Sequence, residues 1–120
     1  MIDVRLGDCL QEMQRLPAES IDLIYLDPPF FTQKRHRSRT RDGLTEFAFD
    51  DVWHNQGDYS SFLSVRLSEM RRLLSSRGSV FFHCDRRANH LARVLLDDIF
   101  GVDQFRAEII WSYRRWSNSS

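Results

Sequence analysis

Residues Ile21–Leu26 read Ile-Asp-Leu-Ile-Tyr-Leu and stop against Asp27-Pro28-Pro29-Phe30. This junction limits the fold more sharply than any other stretch. The run is nearly all apolar, the pattern of a strand covered on both faces. Two successive prolines lack the N–H that a ladder needs, so the strand has a fixed end. A carboxylate stands on that end.

The flanking segments alternate in kind. Residues 1–6 are rich in Ile, Val and Leu and are expected to form a strand. Asp8 then occupies an N-cap position with Gln11 as its capping-box partner, and Leu10, Met13 and Leu16 mark one face of a short helix closed by Pro17. After a long polar loop, Phe62, Leu63, Leu67, Met70, Leu73 and Leu74 recur at helical spacing, with Asp58 as cap and Gly78 past the end. Residues 80–84 predict a third strand. Ala88, Leu91, Ala92, Leu95, Leu96 and Ile99 give a helical stripe stopped by Gly101, and residues 106–113 predict a fourth strand. Such alternation predicts an α/β fold with a mostly parallel sheet and flanking helices. Ligands in these sheets bind beyond the carboxyl ends of strands, where Asp27 falls.

The 120 residues suffice for one small domain. Seventeen basic and seventeen acidic side chains cancel, so any attraction to nucleic acid must be local. No apolar run approaches the roughly 20 residues of a membrane span, and no signal pattern opens the chain. Cys9 and Cys84, only two and far apart, fit a reduced, cytoplasmic protein. The closing residues 117–120 read as a frayed or cut end.

Asp27-Pro28-Pro29-Phe30 makes a stiff turn. Each proline fixes its own φ and biases the residue before it toward extended backbone. The turn displays a carboxylate, carbonyl oxygens and an aromatic plate, which suits a flat ligand bearing an amino group. The plain alternative is an ordinary Asp-Pro turn.

These residues carry a family resemblance. "LGDCLQEMQRLPAESIDLIYLDPPF", and later "FDDVW", "SVFFHCD" and "LLDDIFGVDQFRAEIIW", resemble the DNA amino-methyltransferases, which methylate adenine N6 or cytosine N4 with S-adenosylmethionine. The order resembles the permuted group, in which the catalytic tetrapeptide precedes the glycine-rich cofactor loop. The resemblance implies a Rossmann-like methyltransferase domain acting on double-stranded DNA. It assigns Asp27 and the Pro28 carbonyl as acceptors for the target amine, within a catalytic tetrapeptide completed by Pro29 and by Phe30, which stacks on the base. An exocyclic amine is a poor nucleophile because its lone pair is delocalised; two acceptors would draw it toward tetrahedral geometry and aim it at the methyl group. Such alignment is worth roughly 7–11 kcal/mol. The base must leave the duplex, and an aromatic stack returns about 1–3 kcal/mol. The family also implies that Asp8 holds the cofactor's adenosine, with Cys9 lining the site. An Asp at the head of the tetrapeptide favours adenine, since many cytosine-modifying relatives carry Ser there. Methylation of cytosine N4, RNA or a protein amide is the alternative enzyme reading. A non-catalytic nucleic-acid-binding remnant is the alternative outside enzymes.

Lys34, Arg35, Arg37, Arg39 and Arg41 concentrate charge just after the turn. They are expected in a loop that contacts phosphates, against the ordinary reading of a solvated charge run. His83, Cys84 and Asp85 are adjacent and lack a second ligand cluster; they are expected to close a strand and line the pocket mouth, with no metal. Phe47, Phe49 and Trp53 are expected to pack. Trp111 and Trp116 fit either the core or an aromatic wall near the base.

The five glycines, at 7, 43, 57, 78 and 101, form no G-x-G turn. By resemblance, residues 1–120 are expected to be the amino-terminal, catalytic half of a methyltransferase domain. The cofactor loop and target-recognition segment would then lie elsewhere, in a missing half or a second subunit. In the family's sheet two strands from that half separate residues 2–6 from the strand ending at Asp27, a span of about 14 Å at ~4.8 Å per strand. The fold is therefore expected to be partial, with exposed edges, collapsed strands or a partner chain.

Overall fold

The computed structural model describes residues 1–114, so Trp116 and residues 117–120 lie outside the described residues. Its elements run α1 (Cys9–Gln14), β1 (Ile21–Leu26), β2 (Lys34–Arg39), β3 (Glu46–Asp51), α2 (Gln56–Leu73), β4 (Leu74–Phe82), α3 (Asn89–Phe100) and a 3-10 turn (Val102–Gln104). β1 and β4 pair in parallel, while β2 and β3 form a separate antiparallel hairpin. The fold is α/β, a parallel sheet with flanking helices. No helix among the described residues is long and apolar enough to cross a membrane.

Helix α2 organises the core. Tyr59, Leu63, Leu67 and Met70 recur every three or four residues and form its buried stripe, joined by Ala88. Met13 of α1, Ile24 and Leu26 of β1, Phe82 of β4, and Leu91, Leu95 and Ile99 of α3 pack around that stripe. The cap of α2 is Asn55 rather than Asp58: the Asn55 side chain accepts from the Asp58 N–H at 2.9 Å. Asp58 lies inside the first turn, where its charge favours the helix dipole.

Among the described residues the sheet is covered on one face only, which corrects the expectation of a doubly buried strand. Ile24 and Leu26 point to the core, whereas Leu23, Tyr25 and Phe81 on the opposite face are 61%, 64% and 46% exposed. Gly78 lies within β4, not past a helix end. The pairing register slips there, from Ile21↔Leu74 to Leu23↔Ser79. A Cβ on Gly78 would stand 2.7 Å from a Leu74 methyl and 3.0 Å from the Ile21 carbonyl, so only glycine fits this close approach. Gly101 ends α3 with φ of 99°, as a helix-terminating glycine does.

Two expected strands are absent. Residues 1–6 and 106–113 belong to no regular element, and Ile2, Leu6, Ile109, Ile110 and Trp111 are exposed. Trp111 is thus not core. A strand needs a neighbour's ladder, and neither segment finds one among the described residues. Among the described residues β1 pairs with β4 alone, so its other edge carries no ladder partner.

Candidate active site

The long polar loop contains a hairpin. Gly43, with φ of 72°, makes its turn, and the Asp42 carboxylate accepts from the Leu44 N–H at 3.0 Å. Lys34, Arg35, Arg37 and Arg39 therefore stand on strand β2 rather than in a loop, and only Arg41 lies in the turn. Strand alternation places Arg35, Arg37 and Arg39 on one face with Asp50, Ala48 and Glu46 opposite. Arg35 meets Asp50 at 3.4 Å, and Arg37 and Arg39 meet Glu46 at 3.9 and 3.4 Å. The other face carries His36, Ser38, Phe47 and Phe49. Phe47 and Phe49 are exposed, contrary to the expectation that they pack; Phe49 stacks on His36 at 4.8 Å. Trp53 does pack, against Tyr59 and Phe62.

Asp27 follows the last residue of β1 and is exposed. No hydrogen bond or ion pair reaches its carboxylate, or the Pro28 carbonyl, among the described residues. The Pro29 carbonyl, in contrast, accepts from the Tyr59 hydroxyl at 2.6 Å. Burial, then the nearby charges of Asp51, Cys84 and Asp85, push the Tyr59 phenol far above its ordinary range, so it keeps its proton. The Phe30 ring lies 5.4 Å from His83, centroid to centroid. His83 extends the parallel ladder, its N–H donating to the Leu26 carbonyl at 2.9 Å. His83 thus braces the aromatic of the tetrapeptide instead of lining the groove. Among the described residues no three metal-ligating side chains converge.

The centre of the site is Asp51, which sits inside the "FDDVW" motif but which no local sequence signal singles out. The last residue of β3, it is 1% exposed and buries a carboxylate beneath the turn. Its Oδ2 accepts from the N–H groups of Phe30 at 3.1 Å and Thr32 at 2.7 Å, and from the Thr32 hydroxyl at 2.6 Å. Its Oδ1 accepts from the Phe31 N–H and the Trp53 indole, both at 2.9 Å. Successive N–H groups converging on one anion make a nest. Burial alone would raise the Asp51 pKa; the hydrogen bonds from Thr32, Trp53 and Phe31 outweigh it and hold the carboxyl below its ordinary value. The Thr32 hydroxyl spends its one proton on Asp51, so His36 Nε2, 2.8 Å away, is the donor to Thr32 Oγ1.

The same segment is strained. Phe31 and Gln33 have φ of 62° and 57°, left-handed values that cost a non-glycine residue of order 1–3 kcal/mol. Gln33 is fixed by a reciprocal pair with Trp53, its amide donating to the Trp53 carbonyl at 2.9 Å and accepting from the Trp53 N–H at 2.7 Å. Hydrogen bonds to a charged acceptor contribute about 1.5–3 kcal/mol each. A few of them suffice to hold the strained turn.

A groove of about 380 Å³ runs from the turn along α2. Cys9, Tyr25, Asp27, Pro28, Pro29, Phe62 and Arg66 are among its lining residues. Asp8 caps α1 as expected, accepting from the Leu10 N–H at 2.8 Å, but no Gln11 side chain returns the bond. Its other oxygen meets Arg66 at 2.7 Å. The Leu10 bond, then Arg66, hold the Asp8 carboxyl below its usual range. Arg66 lies 3.7 Å over the Phe62 ring.

Comparison with known proteins bears on this arrangement. The family model described as DNA methylase matches residues 21–120, from the first residue of β1 onward. The chain is 38% identical over 78 residues to the type II methyltransferase M.HinfI of Haemophilus influenzae, covering 62% of the chain and 22% of that protein. It is 36% identical over 83 residues to the type II methyltransferase M.EcaI of Enterobacter cloacae, covering 69% and 17%. It is 29% identical over 107 residues to the DNA adenine methyltransferase YhdJ of Escherichia coli, covering 89% and 32%. The chain thus spans a third or less of the length of these relatives. The matched region contains the Asp27 turn, the hairpin and helix α2 together, and the chain belongs to the DNA methylase family.

Proposed function

We propose that this chain carries the base-binding corner of a DNA methyltransferase that transfers a methyl group from S-adenosylmethionine to an exocyclic amine, adenine N6, of an extruded base. The observation that supports this most is the state of the corner. Asp27 and the Pro28 carbonyl are left without partners among the described residues, while the backbone just beyond them is tied down. Free acceptors on a fixed frame are what an incoming amino group needs.

Asp27 acts as an orienting acceptor, a carboxylate being too weak a base to take a proton from a neutral amine. Phe30, braced by His83, offers a stacking plate for the base. The groove beside the corner has an apolar wall and a volume within the range of small-molecule sites, about 300–1,000 Å³. It suits part of S-adenosylmethionine, which when bound supplies the electrophilic methyl group. Phe62, Pro28 and Cys9 would line it. The adenosine role implied for Asp8 requires its carboxylate to share or release Arg66. Lys34, Arg35, Arg37, Arg39 and Arg41 would meet duplex phosphates, three of them by exchanging an acidic partner for a phosphate. The relatives' names support an adenine target and partnership with restriction systems: one is called a DNA adenine methyltransferase and another a restriction-modification enzyme Mod subunit.

The test is methyl transfer by the full-length protein from tritiated S-adenosylmethionine to duplex DNA, followed by digestion to nucleosides. Label in N6-methyladenine is expected. Label in N4-methylcytosine would move the target, and no label in DNA where RNA or protein offered in a parallel reaction is labelled would refute a DNA substrate.

A further inference from the structure

We propose that Asp51 is a positioning residue for methyl transfer: its buried carboxylate sets the backbone of residues 30–32 and thereby holds Phe30 and the Pro28 carbonyl in register with Asp27. This rests on the functional reading above and names the residue that fixes that site.

Four of the five donors to Asp51 belong to the segment directly after Pro29, although they lie 19 to 21 residues away in sequence. Each N–H from Phe30 to Thr32 is engaged, so the carboxylate reads the path of this backbone rather than any single side chain. The path is one that L-residues avoid, with left-handed φ at Phe31 and Gln33. It persists because something over-determines it. The anion faces the N–H groups, the Thr32 hydroxyl and the Trp53 indole, and no arginine or lysine pairs with it among the described residues. The one basic side chain within 4.0 Å of it among the described residues is His36. A carboxylate that only pinned the hairpin to the core would be expected to bond to core helices or strands. This one bonds to the turn and to Trp53. Tyr59 secures the same turn at a second point, through the Pro29 carbonyl. The tetrapeptide is thus gripped behind its exposed acceptors.

The experiment compares Asp51→Asn, Thr32→Val and Asp27→Ala in the full-length protein. Asparagine keeps the shape but presents an NH2 group to a ring of donors. A displacement of about 1 Å costs up to 10²-fold in rate, so kcat is expected to fall about 100-fold in Asp51→Asn and about tenfold in Thr32→Val. KM for S-adenosylmethionine and affinity for DNA are expected to stay within about threefold. Amide exchange of Phe30, Phe31 and Thr32 is expected to accelerate while that of Ile24 and Leu26 in β1 does not. Unchanged kcat with unchanged exchange at residues 30–32 would overturn the proposal. So would a uniform rise in exchange with kcat falling only as the folded fraction falls. If Asp51→Asn does not fold, Thr32→Val decides: a fall in kcat at a temperature where the variant is fully folded supports the role, and an unchanged kcat overturns it. A wild-type protein that transfers no methyl group sinks the functional reading, and a fully active Asp27→Ala variant removes Asp27 from it. In either case the exchange comparison still reports whether Asp51 holds the turn.

Discussion

The hydroxyl of Tyr59 donates to the carbonyl of Pro29 across 2.6 Å, joining the first turn of α2 to the proline corner thirty residues earlier. Tyr59 is fully buried, so the hydrophobic core and the exposed acceptors share one rigid link. Replacing Tyr59 with Phe removes the bond and leaves the carbonyl without it. A cost of about 1–3 kcal/mol is expected for a polar group left unsatisfied. Urea unfolding should show a lower midpoint with an unchanged slope.

Asp27 itself contributes nothing visible to packing. Asp27→Ala is therefore expected to leave the melting temperature and DNA affinity of the full-length protein nearly unchanged while abolishing methyl transfer. Side-by-side filter binding and label incorporation would show it; substantial turnover in the variant refutes the assignment.

The acid sensitivity of the turn follows from Asp51. Its carboxyl is held below the unfolded value of about 3.9, so its contribution is complete above that pH and is lost as pH falls through the lower folded value. The indole N–H resonance of Trp53 should move as pH falls below about 4. Asp51→Asn should lack this transition.

The two thiols should differ. Burial, then the charges of Asp85 and Glu108, push the Cys84 thiol up, whereas Cys9 is exposed. A thiol reagent at mildly alkaline pH should modify Cys9 quickly and the half-buried Cys84 more slowly, as peptide mapping would reveal.

Replacing Lys34, Arg35, Arg37, Arg39 and Arg41 with Gln should flatten the salt dependence of DNA affinity. The log–log slope should fall by about 0.9 units for each phosphate the protein no longer neutralises. An unchanged slope would make the β2 face ordinary solvated surface.

Segments with strong apolar periodicity were legible in the sequence: β1 to the residue, α3 nearly so, and the buried stripe of α2. The hairpin was not, because Lys-Arg-His-Arg-Ser-Arg offers no apolar alternation. Its signal was the Asp42-Gly43 turn followed by alternating Phe47 and Phe49. Missing it hid Asp51. Asp50 and Asp51 are indistinguishable until the phase of β3 is known, and then one faces solvent while the other faces the turn. Residues 1–6 and 106–113 show the opposite error. Their composition suits strands, but composition supplies no ladder partner. Asp27 was legible because proline chemistry is local; what holds it in place comes from residues far along the chain.

Asp51 closes the base of the hairpin, opposite Lys34, while the turn at Gly43 is remote from it. The arm can therefore change length without disturbing the corner. Each added pair of residues per strand would extend it by roughly 7 Å and preserve which side chains face which way. Reach toward the duplex is in this way separable from chemistry, and an evolving lineage can adjust the one while leaving the other alone.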